Sequence, residues 1–277
     1  MYSINCKGKL LSLSEPLVMG IINVTPDSFY QGHLSERADK ITVLAGKMIA
    51  DGADILDIGG QSTRPGSTPV SVNEEIDRII PVIKIIHREF PHGIISVDTY
   101  YSQVAVAAVV AGATIVNDIS AGNLDKDMLS TVAGLQVPYI CMHMKGTPAT
   151  MQQKPQYDDV VKEVLDFFIG KIDECTKAGI KDVIIDPGFG FGKTPVHNFQ
   201  LLKKLDIFSI TKRPLLAGLS RKSTIYKTLG ITVAEALNGT TVLNTMALMN
   251  GASVLRVHDV KEAKEAVTLY NAYKKAP

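Results

Sequence analysis

Cysteine is scarce in this 277-residue chain: Cys6, Cys141 and Cys175 are an odd set of three without paired spacing. So few thiols suggest neither a disulfide framework nor a zinc knuckle, and they point to a reducing cytosol. Net charge is nearly as scarce. The 29 basic residues almost cancel the 28 acidic ones, which excludes the long-range positive field of a general nucleic-acid binder, so any anion site must be local. The N-terminal MYSINCKGKL has no apolar stretch of signal-peptide length. No window approaches the roughly 18 unbroken apolar residues of a membrane span, and a soluble chain is expected. The six histidines form no cluster with the cysteines of the kind that holds zinc.

Apolar residues, at 45%, are abundant enough for a large core. One phrase recurs. DGADILDIGG, AGATIVNDIS, AGIKDVIIDPG and NGASVLRVHD each place a glycine (Gly52, Gly112, Gly179, Gly251) just before an apolar run, and glycine is the usual left-handed stop after a helix. Helical periodicity precedes each glycine, as with Ile41, Leu44, Ala45, Met48 and Ile49 on one face. Counted with further apolar runs, the total is eight: LVMGIIN (17 to 23), ILDIGG (55 to 60), GIISVDT (93 to 99), TIVNDI (114 to 119), YICMHM (139 to 144), VIIDPG (183 to 188), LLAGLS (215 to 220) and SVLRVH (253 to 258). They are rich in Ile, Val and Leu, as buried parallel strands are. The pattern predicts an α/β chain of one domain over residues 1 to 277, a (β/α)8 TIM barrel with its core at about 17 to 260, in preference to an open doubly wound sheet. The stretch INCKGKLLSL predicts a short hairpin around Lys7 and Gly8 that plugs the N-terminal end of the barrel.

Every run ends on a polar residue: Asn23, Asp57, Asp98, Asn117, His143, Asp186, Ser220 and the pair Arg256 and His258. Parallel strands would bring these ends to one rim, where barrel enzymes build their sites. Arg256 and His258 are two residues apart and share a strand face, so something negative is expected opposite them. Asp98, Asn117 and Asp186 together suit a flat, nitrogen-rich heterocycle. Asp57, taken alone, reads as a helix cap or turn residue. Asp54 is expected to face outward, His87 and His92 to be solvated, and His33 and His197 to lie in loops without a partner.

Two long loops, NVTPDSFYQGHLSE and GQSTRPGSTPVSVNEE, are long enough to cover such a rim, and Thr63 and Arg64 could reach an anion from the second. The segment DPGFGFGKT is not a phosphate loop, since Pro187 stands where the first glycine is required. It reads as a soft turn that brings Phe189 and Phe191 near the rim. GLSRKS places Ser220, Arg221, Lys222 and Ser223 at the start of a helix, an arrangement that favours anions.

With these residues assembled, MGIINVTPDSF (19 to 29), DIGGQSTRPG (57 to 66), SVDTY (96 to 100), NDI (117 to 119), DPGFGFGK (186 to 193), GLSRKS (218 to 223) and RVHD (256 to 259) resemble, in order, the motifs of the dihydropteroate synthase family of pterin-binding proteins. The resemblance covers residues 17 to 260. It implies a folate-biosynthesis transferase that joins 4-aminobenzoate to 6-hydroxymethyl-7,8-dihydropterin diphosphate and releases diphosphate with the help of Mg2+. By the same resemblance Asn23 lies near the metal, Arg256, Val257 and His258 bind the diphosphate, and Thr63 contacts the diphosphate substrate. Asp98, Asn117 and Asp186 hold the pterin ring. Lys222 reaches both substrates, and Arg64, Pro65, Phe191 and Ser223 wall the second one. Asp186, Lys222, Arg256 and His258 are the residues that would carry the chemistry. A homodimer is implied as well. Tyr101 departs from the family, where a basic residue is common. The resemblance favours this activity over a methyltetrahydrofolate–corrinoid methyltransferase, which has no diphosphate leaving group, and over a silent pterin-binding barrel.

Overall fold

The computed structural model describes residues 2–24, 34–62, 69–148, 150–151 and 155–277. Its first element is the expected hairpin, β1 (Ser3–Cys6) paired antiparallel with β2 (Lys9–Ser12). Lys7 and Gly8 both take positive φ, 52° and 91°, the geometry a two-residue turn needs to match the twist of its strands.

Eight parallel strands follow: β3 (Leu17–Asn23), β4 (Ile55–Gly59), β5 (Ile94–Asp98), β6 (Ile115–Asp118), β7 (Tyr139–Met142), β8 (Val183–Asp186), β9 (Leu216–Ala217) and β10 (Val254–Val257). Their order is β8-β7-β6-β5-β4-β3-β10-β9. Helices cross between them, among them Leu34–Ala50, Val72–Glu89, Ser102–Ala111, Val160–Ala178 and Leu237–Met249. The ring closes between β8 and β9 through one parallel bridge, Ile185 with Leu215, supported by Ile185 N donating to the Pro214 carbonyl at 3.0 Å. That seam is thin for a local reason. Pro214 has no N–H to donate, so the ladder cannot extend through it. The run LLAGLS is correspondingly short as a strand.

Alternation along each strand divides the core in two. Val18, Leu56, Ile58, Val97, Val116, Leu255 and Val257 point outward into the shell shared with the helices. Leu17, Met19, Ile55, Ile94, Ile115, Ile140, Ile184, Leu216 and Val254 point inward and form the floor of the barrel. Ile4 and Cys6 of the hairpin are buried in the same cluster, so the plug that the sequence suggested is in place. Asn5 N donates to Asp182 Oδ2 at 2.9 Å and Lys9 Nζ to the Pro91 carbonyl at 2.6 Å, which pins the hairpin across that end. Burial pushes the Cys6 thiol up to about 12, leaving it a small apolar filler.

With one end of the barrel closed by apolar packing, only the other can hold a polar site. Ile4→Ala should lower the free energy of unfolding by about 2–5 kcal/mol, the range for emptying a buried aliphatic position. Urea denaturation measures this, and the turnover of the folded fraction should stay at the parent value.

Candidate active site

At the C-terminal ends of the strands, adjacent positions form one level: Asn23 pairs with Gly59, Gly59 with Asp98, and Asp98 with Asn117. Asp57 lies one inward-facing position deeper on β4, fully buried. Arg256 points inward from β10 and crosses the interior. Its Nε meets Asp57 Oδ2 at 2.6 Å and its Nη2 meets Asp98 Oδ2 at 2.6 Å. Asn117 Nδ2 reaches the same Asp57 oxygen at 3.1 Å. The negative partner expected opposite Arg256 is therefore found within the protein, on β4 and β5. His258 is exposed on the rim, its Nδ1 3.0 Å from Ser220 Oγ.

Burial pushes the Asp98 carboxyl upward, and Arg256 pulls it back. Burial works against the charge on Arg256, but the two carboxylates more than offset it and raise the guanidinium above its ordinary value. At Asp98 desolvation outweighs the guanidinium and leaves the carboxyl at about 7, whereas Arg256 keeps its charge.

Asp186 ends β8 across the mouth, buried, with Oδ1 accepting from Gly188 N at 2.8 Å. Burial raises its carboxyl, opposed by Lys222 first, then by the Gly188 N–H and by Arg256. Lys222 in turn is pushed down to about 8 by burial, with Asp186 resisting. Its Nζ donates to the Phe189 carbonyl and lies 4.6 Å from the centre of the Phe191 ring, a cation over an aromatic face. Asp186, Lys222 and Phe191 thus form the second wall of the mouth.

A buried lysine shapes the turn that carries Phe191. Lys193, 2% exposed, donates to the carbonyls of Gly188 and Phe191 at 3.0 Å each and lies 2.9 Å from His143 Nδ1. Burial, then Lys193, pushes His143 down to about 2, so the imidazole is neutral. Gly188, at φ 69°, passes so close to the His143 carbonyl that a Cβ would lie 1.9 Å from its oxygen. Asn198 ties the same turn to the next segment, accepting from Gly190 N and donating to Thr224 Oγ1, both at 2.9 Å.

Of the residues singled out in the sequence, Asn23, Asp98, Asn117, Asp186, Phe191, Lys222, Ser223, Arg256 and His258 occur at this one mouth. Thr63, Arg64 and Pro65, with the rest of residues 63–68 in the second long loop and residues 25–33 of the first, His33 among them, lie outside the described residues. Several expectations are corrected. Asp57 neither caps a helix nor closes a turn; it anchors Arg256. Val257 turns its side chain into the helix-facing shell, because it alternates with Arg256 on the strand. Phe189 is 1% exposed, in the core, and only its carbonyl serves the mouth. Arg221 is bound by Asp259 at 2.8 and 2.9 Å and by the carbonyls of Val233 and Ala234, so it organises the loop instead of awaiting an anion. His197 has a partner, since its Nδ1 accepts from Thr194 N at 3.3 Å as half of a capping box.

The pattern of a family described as pterin binding enzyme matches residues 19–258. Over 268 residues the chain is 45% identical to the dihydropteroate synthase of Escherichia coli (strain K12), covering 96% of this chain and 94% of that one. Its structure resembles that of Xanthomonas albilineans dihydropteroate synthase with 4-aminobenzoic acid, with a TM-score of 0.92, 41% identity and 99% of each chain covered. The same X. albilineans enzyme in complex with 7,8-dihydropteroate gives a TM-score of 0.89 at 39% identity, over the whole of both chains.

On the helix that follows the second loop is a further acid that the sequence did not flag. Glu75, fully buried on the helix Val72–Glu89, accepts from Gln61 Nε2 at 3.3 Å. Gln61 Oε1 in turn accepts from Tyr100 Oη at 2.7 Å and Val70 N at 3.2 Å. Gly60 lets that helix approach, since a Cβ there would lie 2.7 Å from Ile79 Cγ2. Burial, helped by the Asp98 charge, raises Glu75 to about 8 against the Thr99 hydroxyl and Arg78. Glu75 holds its proton more tightly folded than unfolded, so its share of stability is whole below its ordinary value of 4.5 and is lost as pH rises through about 8. Thermal denaturation of Glu75→Gln beside the parent should show the variant gaining at least ~2 °C on the parent between about pH 6 and about pH 9, the shift given by ~1 kcal/mol.

Proposed function

The chain belongs to the family of pterin-binding enzymes, and on that premise we infer that its mouth is built for one condensation. It joins 6-hydroxymethyl-7,8-dihydropterin diphosphate to 4-aminobenzoate, forming 7,8-dihydropteroate and diphosphate in folate biosynthesis. The observation that carries the residue assignments is the shared array of Asp57, Asp98, Asn117 and Arg256, facing Asp186 and Lys222 across one opening.

The reaction has two demands, and the two walls divide them. The amino-pyrimidinone edge of a dihydropterin presents N–H donors, and Asp98, Asn117 and Asp186 supply acceptors for it. The leaving group needs positive charge. Two of the five N–H donors of the Arg256 guanidinium hold carboxylates; the others are those a diphosphate oxygen would take. His258 on the rim adds a second donor. As the methylene C–O bond breaks, its electron pair leaves with the diphosphate, and the carbon becomes cationic, stabilised by the pterin ring and by Asp186. The amine nitrogen of 4-aminobenzoate then forms the new C–N bond and sheds a proton. Phe191, with Lys222 over its ring, is the surface on which that arene would pack. Lys222, at about 8, is still mostly protonated at neutral pH.

Asn23 ends β3 exposed at the mouth and offers a hard oxygen donor. Among the described residues no group of three or more His, Cys, Asp or Glu could hold a resident cation. Mg2+ arriving with the diphosphate fits this arrangement, because magnesium commonly takes substrate phosphates and water beside one or two protein oxygens. When bound, it offsets charge on the leaving group.

A homodimer is supported by an apolar row on the helix Leu237–Met249, where Val242, Met246 and Met249 are 44%, 47% and 52% exposed. A cytoplasmic location is supported by three free, buried cysteines, and no described helix is long and apolar enough to cross a membrane.

Two measurements test this reading. Asp186→Asn should fold and lose ~100-fold or more in turnover, the size of one preorganised electrostatic partner; product mass after incubation with both substrates and magnesium reads it, and near-normal turnover refutes the role. Met246→Lys should convert a dimer into a monomer by light scattering, since a charge in an apolar contact is left unpaired; a parent protein that is already monomeric refutes the dimer.

A further inference from the structure

Asp57 bears a cost that packing alone does not explain. It is fully buried inside the barrel on β4, level with Ile21 on β3 and Ser96 on β5. Its Oδ1 has no hydrogen-bond partner among the described residues, while Oδ2 takes both Arg256 Nε and Asn117 Nδ2. A half-satisfied carboxylate in such a place is expensive and is kept for a task.

The task follows from what a carboxylate can and cannot do. Ionised, it only accepts. Beside it, the Asn117 amide must present its NH2, and the oxygen is then the atom left for a ligand. Turned over, the same amide would place its oxygen against the carboxylate and its NH2 toward the mouth, where it would meet donors with a donor. Asp57 also fixes the plane of the guanidinium, because Arg256 is held at Nε by β4 and at Nη2 by Asp98 on β5.

We propose that Asp57 is a positioning residue that determines pterin specificity: it locks the Asn117 amide with its oxygen toward the ring and sets the Arg256 guanidinium plane beside it. This rests on the reading that Asn117 meets the pterin. Asp57 touches neither substrate and acts through the two side chains it orients.

Asp57→Asn is the informative change, since an amide at 57 can donate as well as accept and so releases Asn117 to turn over. Initial rates with 6-hydroxymethyl-7,8-dihydropterin diphosphate, 4-aminobenzoate and magnesium should show KM for the pterin substrate rising about 10-fold or more, the effect of one mismatched hydrogen bond to a charged or polar group. KM for 4-aminobenzoate should stay within about twofold, while the melting temperature should fall, since Arg256 loses one of its two carboxylates. A residue that only supports the fold would lower the melting temperature and leave both KM values of the folded fraction unchanged, and that result overturns the proposal. So does an equal rise in both KM values. Asn117→Ala, measured in parallel, separates the two layers of the argument. A raised pterin KM in Asn117→Ala with an unchanged one in Asp57→Asn defeats the role of Asp57 alone, whereas no change in Asn117→Ala defeats the pterin assignment and the proposal falls with it. If Asp57→Asn does not fold, Asp57→Ser, which leaves room for a water, carries the same expectations.

Discussion

The buried guanidinium of Arg256, shared between Asp57 and Asp98, is the constraint on which the mouth depends. It links β10 to β4 and β5 through the interior, and it places a fixed cation among carboxylates that burial alone would leave too costly to ionise. Removing one partner would strand the others, which is why such pairs are expensive to break even when they add little to stability. The same array then confronts substrate with acceptors on one side and a cation on the other. Those are the two kinds of group that a ring edge rich in N–H and a departing diphosphate require.

The rest of the molecule maintains the asymmetry between the two ends of the barrel. At one end Ile4 and Cys6 complete an apolar floor with inward-facing residues from the strands. At the other, Lys193 gathers carbonyls of the turn after β8 and the neutral His143, so that Phe191 and the Phe189 carbonyl face Lys222. The lysine is spent on structure, and the charge of the mouth comes from Lys222 and Arg256. Two adjacent basic residues of one motif are likewise divided: Arg221 is taken by Asp259, and Lys222 is left for the mouth.

How far the sequence could be read depended on whether a signal was periodic or pairwise. The glycine-then-strand phrase and the apolar runs are repetitive signals, and with the local turn signal at Lys7 and Gly8 they made the eight strands, the hairpin and the rim of Asp98, Asn117, Asp186 and Arg256 legible. Asp57 was legible only as a polar residue in an apolar run, because its partners are 60 and 199 residues away along the chain. In the sequence Glu75 is only the last residue of a long loop segment, and the approach of Gly60 and Gln61 shows that it is enclosed. His197 and Arg221 were misjudged for the same reason, each having a partner that no spacing rule supplies. The short strand at 216 and 217 is a local matter, since Pro214 carries no donor.

The sequence by itself determined the class of fold, the direction in which the strand ends point and the residue types offered there, because backbone sterics and hydrophobic alternation act over a few residues. Only the tertiary structure decided which charge meets which: that Arg256 is held by Asp57 and Asp98, that Asn117 turns its NH2 inward, and that Lys193 is structural while Lys222 serves the mouth. Such pairings depend on distances across a closed ring, and in its interior desolvation makes every unpaired polar atom costly enough to select its neighbour.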